Sequence, residues 1–269
     1  MLARALRLFP ALAVVLAITV VACAAITTES TGVYWAAVPE YYLRNLTFYL
    51  PKYELPGVFE TNPFGAPING SLWTLRAEVT FYVGVMVCGL LGLLDRRALF
   101  ALVLAGFAGV YGAAMAMALP RWIDDLMFLA LSFATGMAFW VWRDRIPLSP
   151  ALAVAGMVVA ALSWPTALFI PVLTLAVSYA VFVIGFARLP GLAAYNRLGD
   201  YSYGTYVYAF PIQQGVAWFG VTSPVLNIAI ALPITLVFAI LSWHLVEAPA
   251  LKLKRRSGRA RPPRQAAAE

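Results

Sequence analysis

The sequence predicts an all-α, polytopic transmembrane helical bundle, and three observations carry that prediction. Of the 269 residues, 62% are hydrophobic and only 12% are charged, whereas a soluble domain is about half apolar and a quarter charged. Apolar runs recur along the chain near the ~20 residues needed to cross a ~30 Å hydrocarbon core. The Lys and Arg residues gather at the ends of those runs, fifteen of the nineteen on one side if the chain crosses eight times. That asymmetry predicts both termini inside and one long loop outside. It also assigns the net charge of +7 to topology, not to nucleic-acid binding.

The eight segments follow in order. Leu8–Ile26 comes after Arg4 and Arg7 and lacks an obvious small-residue cleavage site, so it reads as an anchor and not a signal peptide. Thr27–Arg76 is the outer stretch, with five prolines and many aromatics. A structureless loop of that length is unusual in a compact domain. A short interfacial helix over Val38–Tyr49, followed by an ordered Pro-rich segment, is therefore expected. The remaining spans are Ala77–Leu94, Ala98–Leu119, Leu126–Trp142, Leu148–Ser163, Ala167–Phe186, Tyr203–Val221 and Val225–Val246. Leu148–Ser163 is short, and Tyr203–Val221 is interrupted by Pro211 beside Gln213 and Gln214. Residues 1–251 thus form one transmembrane domain, and 252–269 a basic tail expected to be disordered on the inner face.

A few residues are out of place in such a bundle. Glu78 enters a long apolar run, where an ionisable group costs roughly 2.5–3.5 kcal/mol if central and less near an end. Glu78 and Tyr82 are four apart and share a helix face. Asn69 or Ser71 can cap that helix after Gly70, and Trp73 and Arg76 sit at interface level, with Arg76 in reach of Glu78. An Arg–Glu pair that locks the helix end and a carboxylate lining a polar cavity are both open readings. Arg4 and Arg7 share a face, as topology charges or as a clamp for phosphate. Tyr203, Tyr206 and Gln213 lie in a segment whose polar groups need partners or water. His244 is the only histidine and reads as an interfacial residue. Cys23 and Cys88 lie in apolar runs and read as small core residues, which leaves no disulfide framework or metal site to expect.

Four blocks together resemble the acyltransferase-3 family of integral membrane acyltransferases. They are Arg4-x-x-Arg7-Leu8-Phe9-Pro10, Asn69-Gly70-Ser71-Leu72-Trp73-Thr74-Leu75-x-x-Glu78, Leu198-Gly199-x-Tyr201-Ser202-Tyr203-Gly204-x-Tyr206, and Val246-Glu247-x-Pro249-x-Leu251. The second is the most specific. The resemblance implies transfer of an acyl group, often acetyl, from acyl-CoA to a hydroxyl of a cell-surface glycan or related acceptor, in a bacterial inner membrane. It implies no bound cofactor, with acetyl-CoA as cosubstrate. By position it carries a donor-binding role onto Arg4 and Arg7, and a catalytic role onto Glu78 beside Trp73.

Family members usually have two earlier spans, the first carrying a histidine treated as the base. Here the arginine block begins at residue 4, Ala3 stands where the first Arg of an Arg pair would be, and Ala209 stands where many members have His. The expectation is a chain short at its N-terminus and weakly active or inactive alone. A transporter for a lipid-linked glycan and a non-catalytic membrane subunit are the alternatives, the former weakened by the lack of an internal repeat.

Overall fold

The computed structural model describes residues 2–117, 119–187 and 199–258. Every regular element among them is helical. A helix underlies each of the eight predicted segments: α1 Leu2–Ala24, α3 Leu72–Leu90, α4 Arg97–Ala116, α5 Arg121–Val141, α6 Pro150–Leu162, α7 Phe169–Phe186, α8 Ser202–Trp218 and α9 Pro224–Ser242. α1, α4, α5, α7 and the run from Pro224 to Leu253 are long and apolar enough to cross a membrane. α6 and α8 are shorter, at 13 and 17 residues, and α3 dilutes its apolar run with Arg76 and Glu78.

Three expectations are corrected. The helix within the predicted outer stretch is α2, Thr31–Thr47, and starts seven residues before the predicted Val38. Its signal was a cap, not a hydropathy rise: the Ser30 hydroxyl accepts from the Val33 N–H. It ends where Phe48 takes a left-handed φ of 57°. Pro211 does not break α8, which runs through it. The chain past Leu251 does not turn irregular at once, because a π-helical turn at Trp243–Glu247 leads into α10, Ala248–Gly258. Leu, Lys and Arg are good helix formers and continue it. The rest of the predicted tail, together with Arg188 and Arg197 of the charge count, lies outside the described residues.

The chain divides into two compact units, Met1–Arg76 with Ala193–Glu269, and Ala77–Leu192. In the first unit α1 is the core. Leu8, Leu12, Val15, Leu16, Val20 and Cys23 recur at helical spacing and are all buried. Lipid is as apolar as these side chains, so close packing and hydrogen bonds hold such a helix more than hydrophobic burial does. Three tyrosines supply the bonds. The Tyr34 hydroxyl donates to the Val20 carbonyl (2.7 Å), Tyr42 to Ala13 (3.1 Å) and Tyr203 to Leu8 (3.0 Å). Each takes the spare lone pair of a carbonyl on α1. α8 packs on α9, where a Cβ on Gly204 would stand 2.7 Å from the Ala239 Cα, so only glycine allows the approach.

The segment between α2 and α3 is pinned at several points. The Thr28 N–H donates to the Gly57 carbonyl (3.0 Å), Thr27 Oγ1 to Pro56 (2.8 Å), and the Ile68 N–H to Tyr53 (2.7 Å). Leu55, Val58 and Ile68 are buried under it. Glu40 holds both Arg44 (3.0 Å) and Lys52 (2.9 Å). The Lys52 hydrogen bond and both cations keep its carboxyl below the usual range.

In the second unit α6 packs on α7, and α7 on α5. Phe139 and Phe182 stack at 4.3 Å, and Phe81 meets Phe133 at 4.9 Å. At one end, Arg97 joins the Val141 carbonyl and the Asp144 carboxylate.

Candidate functional site

Arg7 lies on the first turns of α1 and does not stand free for a phosphate. Its Nη2 donates to Asp200 Oδ2 at 2.7 Å and approaches Ser202 Oγ at 3.4 Å, with the guanidinium over the Trp243 ring. Asp200 is organised before it meets Arg7. Its Oδ1 accepts from the Ser202 hydroxyl (2.6 Å) and N–H (3.2 Å), an Asx-type turn opening α8. Burial pushes the Asp200 carboxyl up. The Ser202 hydrogen bonds and the Arg7 charge outweigh it and hold the group below its ordinary value. Gly199 precedes this turn with φ +135°, and a Cβ there would fall 2.4 Å from the Trp243 indole nitrogen.

The π turn divides its polar side chains between two directions. His244 is exposed and lies 3.3 Å from the Tyr201 hydroxyl. Glu247 is fully buried, its Oε1 accepting from Ser242 Oγ at 2.9 Å, while Oε2 has no hydrogen-bond partner among the described residues. π turns are frequent at functional sites. The charges of Arg7 and Asp200 both reach Glu247. Three of the four resembling blocks therefore meet near the start of α1, although almost 200 residues separate Arg7 from Asp200.

A second polar cluster in the same unit joins Asn69, Ser71 and Tyr206. Asn69 Nδ2 donates to the Val207 carbonyl (2.9 Å), Ser71 Oγ donates to Asn69 Oδ1 (2.6 Å), and the Tyr206 hydroxyl donates to the Ser71 carbonyl and meets Thr74 Oγ1. Asn69 is buried, so it ties the start of α3 to α8. A Cβ on Gly70 would lie 2.7 Å from the Phe210 ring. Burial pushes the Tyr53 phenol up against the opposing pull of Arg76, with Tyr206 adding to the rise. Trp73, Arg76 and Arg4 are exposed. Gln213 is exposed on a cavity of about 310 Å³ lined also by Phe64, Phe210 and Asn227.

Its neighbour Gln214 is the structural member of the pair. Gln214 Nε2 donates to the Gly65 (2.9 Å) and Pro67 (2.7 Å) carbonyls, and Asn62 Nδ2 donates to its Oε1 and main-chain oxygen. Sequence reasoning missed this clasp, and also Asp200 and Glu247 as site residues. Only Asp200-x-Ser202 left a local trace, as a turn signal.

In the second unit Glu78 is half-buried and its Oε1 accepts from the Tyr82 hydroxyl, as their spacing predicts. Tyr82 packs edge-on against Phe133 at 5.6 Å. This carboxylate is held by a phenol in an otherwise apolar stretch. Among the described residues no group of three or more His, Cys, Asp or Glu could hold a metal ion. Set against family models, curated proteins and solved structures, the chain matches none.

Proposed function

We propose that the protein is a membrane-bound O-acyltransferase that moves an acyl group, acetyl first among candidates, from acyl-CoA to a hydroxyl of a cell-surface glycan. The reading rests on the four resembling blocks. The observation that supports it most is the Glu78–Tyr82 pair, because an ionisable side chain in an apolar helix is costly without a role. In the proposed reaction the acceptor hydroxyl attacks the thioester carbonyl, the C–O bond forms, the C–S bond breaks and the thiol of CoA leaves. Glu78 positions and polarises the acceptor hydroxyl, whose proton ends on the departing CoA sulfur, while Tyr82 fixes the carboxylate rotamer. Arg4 takes the donor's phosphates, and Arg7 joins it only by exchanging Asp200 for a phosphate oxygen. The proposal includes eight crossings with both termini inside, in a bacterial inner membrane.

The test is transfer of labelled acetyl from acetyl-CoA to glycan by membranes carrying the protein. Glu78→Gln is expected to lower transfer by at least ~100-fold, the lower end of what general acid–base groups contribute, with the protein still inserted and folded. Full activity of that variant would remove Glu78 from the mechanism. One observation favours a second reading, a non-catalytic membrane subunit: Arg7 is already neutralised by Asp200. In that case acetyl transfer is absent from wild type and variant alike, while both still insert.

A further inference from the structure

Within the second unit an apolar groove opens where α5 and α7 end. It encloses about 530 Å³ and is lined by Gly136, Phe139, Trp140, Phe182 and Phe186, with Arg143 at its mouth. That volume is within the ~300–1,000 Å³ of small-molecule sites. Its walls are rigid, since Phe139 and Phe182 stack face to face and Phe186 lies parallel to Phe182 at 6.4 Å. Trp140 and Phe186 are largely exposed, at 61% and 72%.

The mouth has a sign. The Arg143 guanidinium sits 4.3 Å over the Trp140 ring, and its Nη1 donates to the Trp140 carbonyl at 2.7 Å. This fixes one of five N–H donors and presents the planar fork beside the groove. Arg145 follows two residues later and is exposed. The acid between them, Asp144, is engaged by Arg97. A hydrogen bond to its own backbone N–H, aided by Arg97 and Arg145 and opposed by burial, holds its carboxyl below the ordinary range. The turn therefore keeps a net positive charge above an apolar slot.

We infer that this groove binds an anionic phospholipid of the surrounding bilayer, one acyl chain against the phenylalanine wall and the phosphate on Arg143. Basic pockets between membrane helices select anionic headgroups in this way. A zwitterionic lipid fits the slot as well, but its headgroup cation opposes Arg143. A fully neutral occupant leaves the guanidinium without a counter-charge.

The test uses the whole protein in mild detergent with equal amounts of phosphatidylglycerol and phosphatidylcholine, and native mass spectrometry to count what stays bound. Wild type is expected to retain phosphatidylglycerol preferentially. Arg143→Gln is expected to lose about fivefold of that preference, the equivalent of about 1 kcal/mol for one Arg at an anionic surface, while still binding lipid. Gly136→Leu fills the slot. A Cβ at Gly136 meets nothing within 4 Å, and leucine improves the helix, so this variant is expected to fold and to lose both lipids. Equal retention of the two lipids by wild type, an unchanged ratio in Arg143→Gln, or an unchanged lipid count in Gly136→Leu would each overturn the inference.

Discussion

Asp200 shows how much of the site depends on pairings that no local pattern reveals. Its partner Arg7 stands near the other end of the chain, and neither residue names the other in the sequence. Arg7 and Glu78 stood out because charge is rare in apolar helices. Asp200 and Asn62 did not, since polar residues in turns and loops are ordinary until a tertiary contact uses them, and Gln214 stood out only as an interruption of its span. The Asp200 carboxyl is held below its ordinary value of about 3.9. A depressed acid contributes stability that is fully present above the unfolded value and is lost as pH falls through the lower folded one. Asp200→Asn is therefore expected to melt below wild type by a constant margin from pH 8 to pH 5. The two curves should converge only under about pH 4. The margin is under about 1 kcal/mol because the side chain is half-exposed. A thermal series that closes the gap by pH 6 would contradict the pairing.

Elements were easier to read than their ends. A helix underlies every apolar run, since hydropathy averages over a whole helix. Caps and local hydrogen-bond shifts do not average, so the Ser30 start of α2 and the π turn at Trp243–Glu247 went unread. Contacts between elements are equally silent in sequence, and α8 shows it with two glycines. Gly204 touches the backbone of Ala239, whereas Gly215 has nothing within 4 Å of its absent Cβ. Gly204→Val is expected to lower the melting temperature in detergent, by about 1–3 kcal/mol of overpacking. Gly215→Ala is expected to be neutral or to stabilise by up to about 1 kcal/mol through helix propensity. A Gly204 variant as stable as wild type would mean that α8 and α9 do not meet so closely.

At the scale of the whole molecule, composition alone predicts the membrane, and the charge split predicts a direction for each loop. The split rests on fifteen basic residues against four, which an odd number of crossings would erase. A single cysteine at Lys52 is expected to react with an impermeant maleimide on intact cells, and one at Arg145 only after permeabilisation. Labelling of both from the same side would remove the eight-crossing topology. Among the described residues five helices are long and apolar enough to cross, and α6 is not among them. Its 13 residues rise only about 20 Å, roughly 10 Å less than an average hydrocarbon core. Wherever such a helix crosses, the lipid must yield, because a rigid helix cannot stretch. The bilayer beside α6 would be dimpled, with its leaflets drawn toward each other. If α6 crosses, that thin spot shortens the distance a polar group must travel between the two aqueous sides.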